Sequence, residues 1–453
     1  MASRQEEPEW LQADESQATS DDLKKSQEPD ADGTDPFGNE EEGEVQYRTM
    51  SWVQCAILMI AENISLGILS FPSAVATLGM VPAAVILVFL SVLSWYTGLL
   101  IGQFKLRYPQ VHSMADAGGV LWGPIGREIV GIGQLLLLVF FMSSHILTFS
   151  ILLNVLTGHG ACSIAFGVVG LILSFLMSLP RTMEKVFWFA ITSFISIFIA
   201  TVVLMISVGV EAKGPIQNDV VRADSFYKAF LAVTNIIFAY IAHIAYFGFI
   251  SETKQPRDYP KSLALLHIVE TTLYLVSALI IYHYVGQDVK SPALSSAGPL
   301  MRKVCYGIAI PTVLIAGVIA GHVACKNIYI RLFRGSSHLH KRSMISVGSW
   351  VGIALVLWIV AWVIAESIPS FNDLLSLISS IFGSVFSYIL PAVFWLHLNR
   401  GRYFSTTRKT VLTIVNVVIL AIGFAIAGLG LYVSARSLSE STTNLSWSCA
   451  DNS

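Results

Sequence analysis

Beyond residue 47 the chain is a series of long apolar runs separated by short polar segments. A helix needs about 20 apolar residues to cross roughly 30 Å of hydrocarbon. By that measure the runs at 52–77, 80–104, 128–157, 162–180, 186–209, 226–250, 263–286, 304–333, 345–365, 371–397 and 411–434 predict eleven transmembrane helices. Backbone groups find no water partners in lipid, so helices are the solution for runs of this length. Nothing alternates with the period of two that a membrane barrel requires. The fold class expected is all-α integral membrane.

Composition agrees and adds a boundary. The chain is 54% hydrophobic and 13% charged, against roughly 25% charged in a soluble protein. Its first 44 residues hold 15 of the 30 acidic side chains and no apolar run. Such a segment cannot bury enough apolar surface to offset chain entropy. Residues 1–47 therefore read as a disordered acidic cytoplasmic tail, 48–435 as the transmembrane domain and 436–453 as a short outer tail. The tail has no charged-then-apolar leader, so the first span is expected to act as the insertion signal. Lys24 and Lys25 are modification targets if the tail is a regulatory handle; a purely solvating tail fits equally.

Charge sets the orientation. With the tail inside, the cytoplasmic loops carry 17 Lys and Arg residues and the opposite side 7. That bias predicts a cytoplasmic N-terminus and an outer C-terminus. Asn444-Leu445-Ser446 is then a reachable glycosylation sequon, whereas Asn63-Ile64-Ser65 lies within the first span. The five cysteines, at 55, 162, 305, 325 and 449, show no metal-ligand spacing. Cys162 and Cys305 both fall in expected outer loops, where a bridge between them is allowed. Neither a cofactor nor a nucleic-acid partner is expected; membrane lipid is.

Polar chemistry enters the membrane at a few places. The first span contains Glu62, Asn63, Ser65 and Gly67 together near mid-membrane. An ionised carboxylate there is costly, so Glu62 is expected to be neutral, paired or facing water. Such a cluster lets a helix break, and the freed N–H groups then suit a carboxylate ligand; a polar kink packed on a neighbouring helix is the plain alternative. The sixth span has small residues at Ala239, Ala242, Ala245 and Gly248, which permit close backbone approach. Two interruptions five spans apart suit two inverted five-helix repeats plus one added helix. His145, His243, His283 and His322 lie within spans, and Glu270 with them; each is a conceivable proton carrier or an interhelical hydrogen bond. The Ala320-Gly321-His322 interruption beyond Pro311 makes His322 the foremost of them.

Other classes fit poorly. No G-x-S-x-G nucleophile motif is present, and no Walker loop to drive a pump. A channel filter or charged ring cannot be identified from one subunit. His112 to Asp116 forms a loop without a defensible site. The basic stretch from Arg331 to Arg342 suits anionic lipid or simply topology.

The stretch from Met59 to Pro72, followed by Ala76-Thr77-Leu78-Gly79, resembles the first span of the amino acid/auxin permease family, most of all its fungal neutral amino-acid permeases. Phe238-Ala239-Tyr240-Ile241-Ala242-His243 and the loop from Ser251 to Ser262 are similar to that family's sixth span and the loop after it. Ile319 to Lys326 resembles its eighth span. The resemblance covers roughly residues 48–435, and three matches in the right order make it specific. It implies a leucine-transporter-like 5+5 inverted repeat with one extra helix, and transport of neutral amino acids. It implies that Ser65, Leu66 and Gly67 receive the substrate carboxylate and that Phe238, Ala239 and Tyr240 receive the ammonium. Phe141 and Ser144 of the third span join them. Sodium-coupled relatives place a hydroxyl along the eighth span; none stands between Val313 and Tyr329. A lysine used by some proton-coupled relatives in the fifth span is absent between Val186 and Val210. The expectation is proton symport in the plasma membrane with Glu62 or His322 titrating. A vacuolar exporter of the same fold and a non-transporting amino-acid receptor are the rivals.

Overall fold

The computed structural model describes residues 50–180, 186–212, 218–222, 224–333, 343–441 and 446–452. The acidic tail and the Asn444 sequon lie outside the described residues. The order is α1 (Trp52–Asn63), a 3-10 turn (Leu66–Ser70), α2 (Phe71–Leu78), α3 (Met80–Arg107), α4 (Met114–Thr157), α5 (Ser163–Met177), α6 (Val186–Glu211), α7 (Phe226–Phe238), α8 (His243–Glu252), α9 (Tyr259–Val285), α10 (Pro299–Leu332), α11 (Met344–Ser367), α12 (Phe371–Ile378), a π-helical stretch (Ser379–Ile389), α13 (Leu390–Leu398) and α14 (Thr407–Ser441). No strand occurs among the described residues; Met50 and Thr253 make one isolated parallel bridge.

Among the described residues nine spans are long and apolar enough to cross a membrane, and α1 with α2 makes a tenth if the bent pair is one span. α5, the expected fourth span, has 15 residues. At 1.5 Å per residue it reaches about 22 Å, short of a full crossing. A short helix precedes the third span and runs into it across a kink. α4 begins at Met114 behind the N-cap Ser113, and Trp122 and Gly123 leave helical geometry just before Pro124. His112 to Asp116 is thus a helix start rather than a loop.

Both expected interruptions are present. Ser51 opens α1 with a capping box to Gln54. The helix stops at Asn63, and Ser65 (φ −139°, ψ −126°) leads into the 3-10 turn. The pair is bent by 45°. α7 ends at Phe238 and α8 resumes at His243. The two broken helices run antiparallel, and backbone hydrogen bonds tie them at both ends. Lys254 N donates to Met50 O (2.8 Å), while Arg222 N donates to Leu78 O (3.2 Å). Gly79, at φ +88°, makes the second tie possible: a Cβ there would lie 2.8 Å from the backbone of Val221 and Arg222.

α9 packs on α1 and α3, and α10 packs on α4 and α6. The outer helices carry apolar side chains to the surface, such as Ile414, Val418 and Phe424 on α14, where lipid is their solvent. The allowed bridge between Cys162 and Cys305 does not form. Cys162 is bonded to Cys449, and Cys305 is buried within α10. The terminal segment is fastened along the same face. Trp447 N donates to Glu366 O (3.3 Å), and Asn154 Nδ2 donates to Asn452 Oδ1 (2.6 Å).

Denatured without reductant, the protein should expose three reactive thiols, Cys55, Cys305 and Cys325. Reduction should raise the count to five. Cys162→Ser and Cys449→Ser should each cost about 2–4 kcal/mol, with no further loss in the double variant. Thiol titration and thermal melts in detergent check both.

Candidate functional site

The two breaks meet. A Cβ built on Gly67 would lie 2.6 Å from Ala239 Cβ and 2.9 Å from its Cα, so only a glycine allows this approach. Leu66, Gly67, Phe238, Ala239 and Tyr240 are all buried at the contact. Ser65 is half-buried and its hydroxyl has no partner. The opening N–H groups of a helical turn find no partner within it, which leaves the 3-10 turn at Leu66 and Gly67 short of acceptors.

The carbonyls of the second break are lightly engaged. Phe238 O accepts from Ile241 N (3.3 Å), Ala239 O from Tyr274 Oη (3.5 Å) and Tyr240 O from Ser94 Oγ (3.4 Å). Each bond is long, and each carbonyl keeps a second lone pair. Phe141 of α4 stands edge-on to Phe238 with ring centroids 5.6 Å apart. Ser144, fully buried one turn along, donates to Phe141 O (2.8 Å). The structure thus brings Gly67, Phe238, Ala239 and Phe141 together, with Tyr240 directed elsewhere: its hydroxyl reaches Leu87 O (3.2 Å).

A cavity of about 270 Å³ lies beside the breaks, between α2, α7 and α12. Ser73, Thr77, Leu231, Asn235 and Asn372 are among its lining residues. Ser70 Oγ bonds Gly67 O (2.9 Å) and Asn235 O (3.4 Å), so the cavity wall and the breaks share a hydroxyl.

The titratable residues scatter. Glu62 is exposed. His322 is buried against Trp350 of α11, with ring centroids 5.2 Å apart. His145 bonds Val313 O (2.9 Å), and His243 bonds Thr97 Oγ1 (2.9 Å). His283 meets Asn218 at an exposed end of α9. Reading by span overlooked His267, which lies 2.6 Å from Glu270. Its signal was present as a His and a carboxylate three residues apart in an apolar helix, a spacing that puts both on one face.

Residues 48–436 match the family model of the transmembrane amino acid transporter protein. The chain belongs to this family. The transporter is 35% identical over 412 residues to the N amino acid transport system protein of Neurospora crassa, covering 88% of this chain and 87% of that one. A transmembrane transporter of Fusarium pseudograminearum is 31% identical over 422 residues, 90% and 89% of the two chains. The amino acid transporter AVT1J of Arabidopsis thaliana is 25% identical over 384 residues, 79% and 86% of the two chains. The protein is therefore an integral membrane member of an amino acid transporter family.

Gly67→Ala should destabilise the transporter by about 1–3 kcal/mol through overpacking and should depress amino acid uptake. Ala239→Gly in the same chain should recover part of both losses, because it removes the closer of the two clashing atoms. Melting temperature and uptake are the readouts; a double variant no better than Gly67→Ala alone would dissociate the two breaks.

Proposed function

We propose that the transporter is a secondary active, proton-coupled symporter of neutral amino acids, acting in the plasma membrane with its N-terminus in the cytoplasm. The observation that carries the reading is the contact of two antiparallel broken helices at Gly67 and Ala239. Broken helices at membrane depth are tolerated where they are buried or line a cavity, and they offer backbone groups to both ends of a zwitterion. In this reading Ser65, Leu66 and Gly67 take the carboxylate. The carbonyls of Phe238, Ala239 and Tyr240 take the ammonium by exchanging their long internal bonds for it. Phe141 and Phe238 cover the side chain, and Ser144 fixes the local helix; apolar and hydroxyl groups suit an uncharged residue.

The antiparallel pairing supports the leucine-transporter-like repeat, with α5 completing a count of eleven spans. Orientation draws on two independent features: the excess of Lys and Arg on the tail side, and the Cys162–Cys449 bridge, which belongs on a non-cytosolic face. Proton rather than sodium coupling follows the lack of a hydroxyl between Val313 and Tyr329. Thr312, one residue earlier, is turned to Ser193 of α6 at 3.0 Å. Glu62 and His322 remain candidate proton carriers, Glu62 by its exposed side chain beside the first break and His322 by its unpartnered Nδ1.

Purified transporter in sodium-free liposomes should accumulate labelled neutral amino acids when the outside is made acidic. Collapse of the gradient should abolish accumulation. Uptake indifferent to the gradient refutes symport, and folded protein with no uptake of any neutral amino acid leaves a receptor as the better reading. Glu62→Gln or His322→Ala that leaves the pH profile unchanged removes that residue from the mechanism.

A further inference from the structure

One buried ion pair stands between the two breaks. Glu270 is fully buried, and His267, one turn before it on α9, is 6% exposed. His267 Nδ1 lies 2.6 Å from Glu270 Oε1. The contact is close but not aligned as a hydrogen bond, and His267 Nε2 has no partner at all. The second carboxylate oxygen of Glu270 accepts a hydrogen bond from the amide of Asn63, the last residue of α1. One turn further along α9, Tyr274 Oη donates to Ala239 O in the second break. A single helical face, residues 267, 270 and 274, thus touches both interruptions.

The neighbouring charges are few. α1 offers Glu62, which is exposed. From the second break and α8, Tyr240 faces His267 at 6.5 Å between ring centroids, and His243 and Tyr246 stand behind it. Tyr274 lies on α9 itself, 5.7 Å from Tyr240. α3 turns hydroxyls this way: Ser91 meets Thr271 at 2.5 Å, and Thr97 holds His243. The 3-10 turn and α2 carry no titratable side chain, and α6 has only Glu211 at its far end. The Lys and Arg residues of α3 and α9 are confined to terminal turns: Lys105 and Arg107 end α3, and Lys261 begins α9, with Arg257 and Asp258 in the short turn before it and Asp288 in the turn after it. Glu252 ends α8, so all of these lie at helix ends, away from Glu270 in mid-helix. No fixed cation among the described residues of these elements therefore stands against Glu270; the imidazole is its one source of positive charge.

A neutral imidazole beside an ionised carboxylate carries net charge −1, and one added proton brings the pair to zero. An unneutralised ion is expensive in a site closed to water. The pair is consequently compatible with a closed, dry site only when it holds the proton. From this we infer that His267 and Glu270, rather than Glu62 or His322, form the proton-carrying site of the transporter. The proton is taken from water on one side and surrendered to water on the other. Asn63 is the positioning residue that ties the charge of the pair to the first break, as Tyr274 ties α9 to the second. The inference deepens the symport reading and rests on it.

The test uses the full chain in sodium-free liposomes. Glu270→Gln should reduce gradient-driven accumulation to simple equilibration while exchange of labelled for unlabelled amino acid persists. Its exchange rate should lose the pH dependence shown by the wild-type protein. A purely structural role for Glu270 would lower exchange and accumulation together and leave the pH profile in place. Glu270→Gln that still accumulates substrate, and loses it on collapse of the gradient, overturns the assignment. Should that variant fail to fold, His267→Gln carries the same test with the same two outcomes. Wild-type protein without proton-driven accumulation sinks the symport reading itself; wild-type accumulation matched by both variants sinks only this site.

Discussion

A helix interrupted in mid-membrane releases backbone groups that neither lipid nor its own next turn can satisfy, so its neighbours must do so. Here two such helices meet that requirement jointly, and the rest of the architecture follows from it. Gly67 and Ala239 touch because neither carries more than a methyl. Ser70, Ser94 and Tyr274 supply the hydroxyls that reach the exposed carbonyls. The antiparallel ties at Met50 and Leu78 hold the two breaks at one depth. A larger residue at either position would part the helices and leave those carbonyls without donors.

Around this contact the surrounding helices divide into those that reach it and those that brace it. α9 reaches both breaks with one face, while α4 approaches from the other side with Phe141. The outer face is braced covalently. The Cys162–Cys449 bridge and the bonds from Trp447 and Asn452 draw the C-terminal segment over the ends of α4, α5 and α11. α1 has no such covalent brace; its N-terminal end is held through Met50 and by Ser262 Oγ, which donates to Trp52 O (2.7 Å).

Much of this is legible in the sequence, because the bilayer imposes simple rules on it. Span positions follow from apolar length, and both breaks follow from polar or small residues at Asn63 to Gly67 and at Ala239. What sequence could not show depends on long-range geometry. Asn63 and Glu270 are 207 residues apart, and nothing local marks them as partners. Cys162 and Cys305 read as an allowed bridge, whereas Cys162 is bonded to Cys449, 287 residues away. Cys305 looked available because its helix was placed to start at 304, whereas α10 begins at Pro299 and buries it. The helix before Pro124 went unseen because it spans only residues 114–121 ahead of the break at Trp122 and Gly123, far fewer than a crossing needs. The π-helical stretch at Ser379–Ile389 has no periodicity of its own in an apolar run.

Under the proposed symport, a neutral amino acid crosses as a zwitterion with no net charge, so the electrical side of coupling would fall on the buried pair alone. Loaded with its proton the His267–Glu270 pair is neutral, and the loaded carrier crosses without sensing the membrane potential. Emptied, the pair is left at −1, and this charge returns with the unoccupied carrier. A potential negative inside pushes that returning charge outward, by up to about 2.3 kcal/mol per 100 mV if it traverses the whole field. The pH gradient then acts on loading and release, and the potential acts on the return. Two driving forces are thus separated onto two legs of one cycle by a single ion pair, and a hydrogen bond to Asn63 relates its charge to the break that must move.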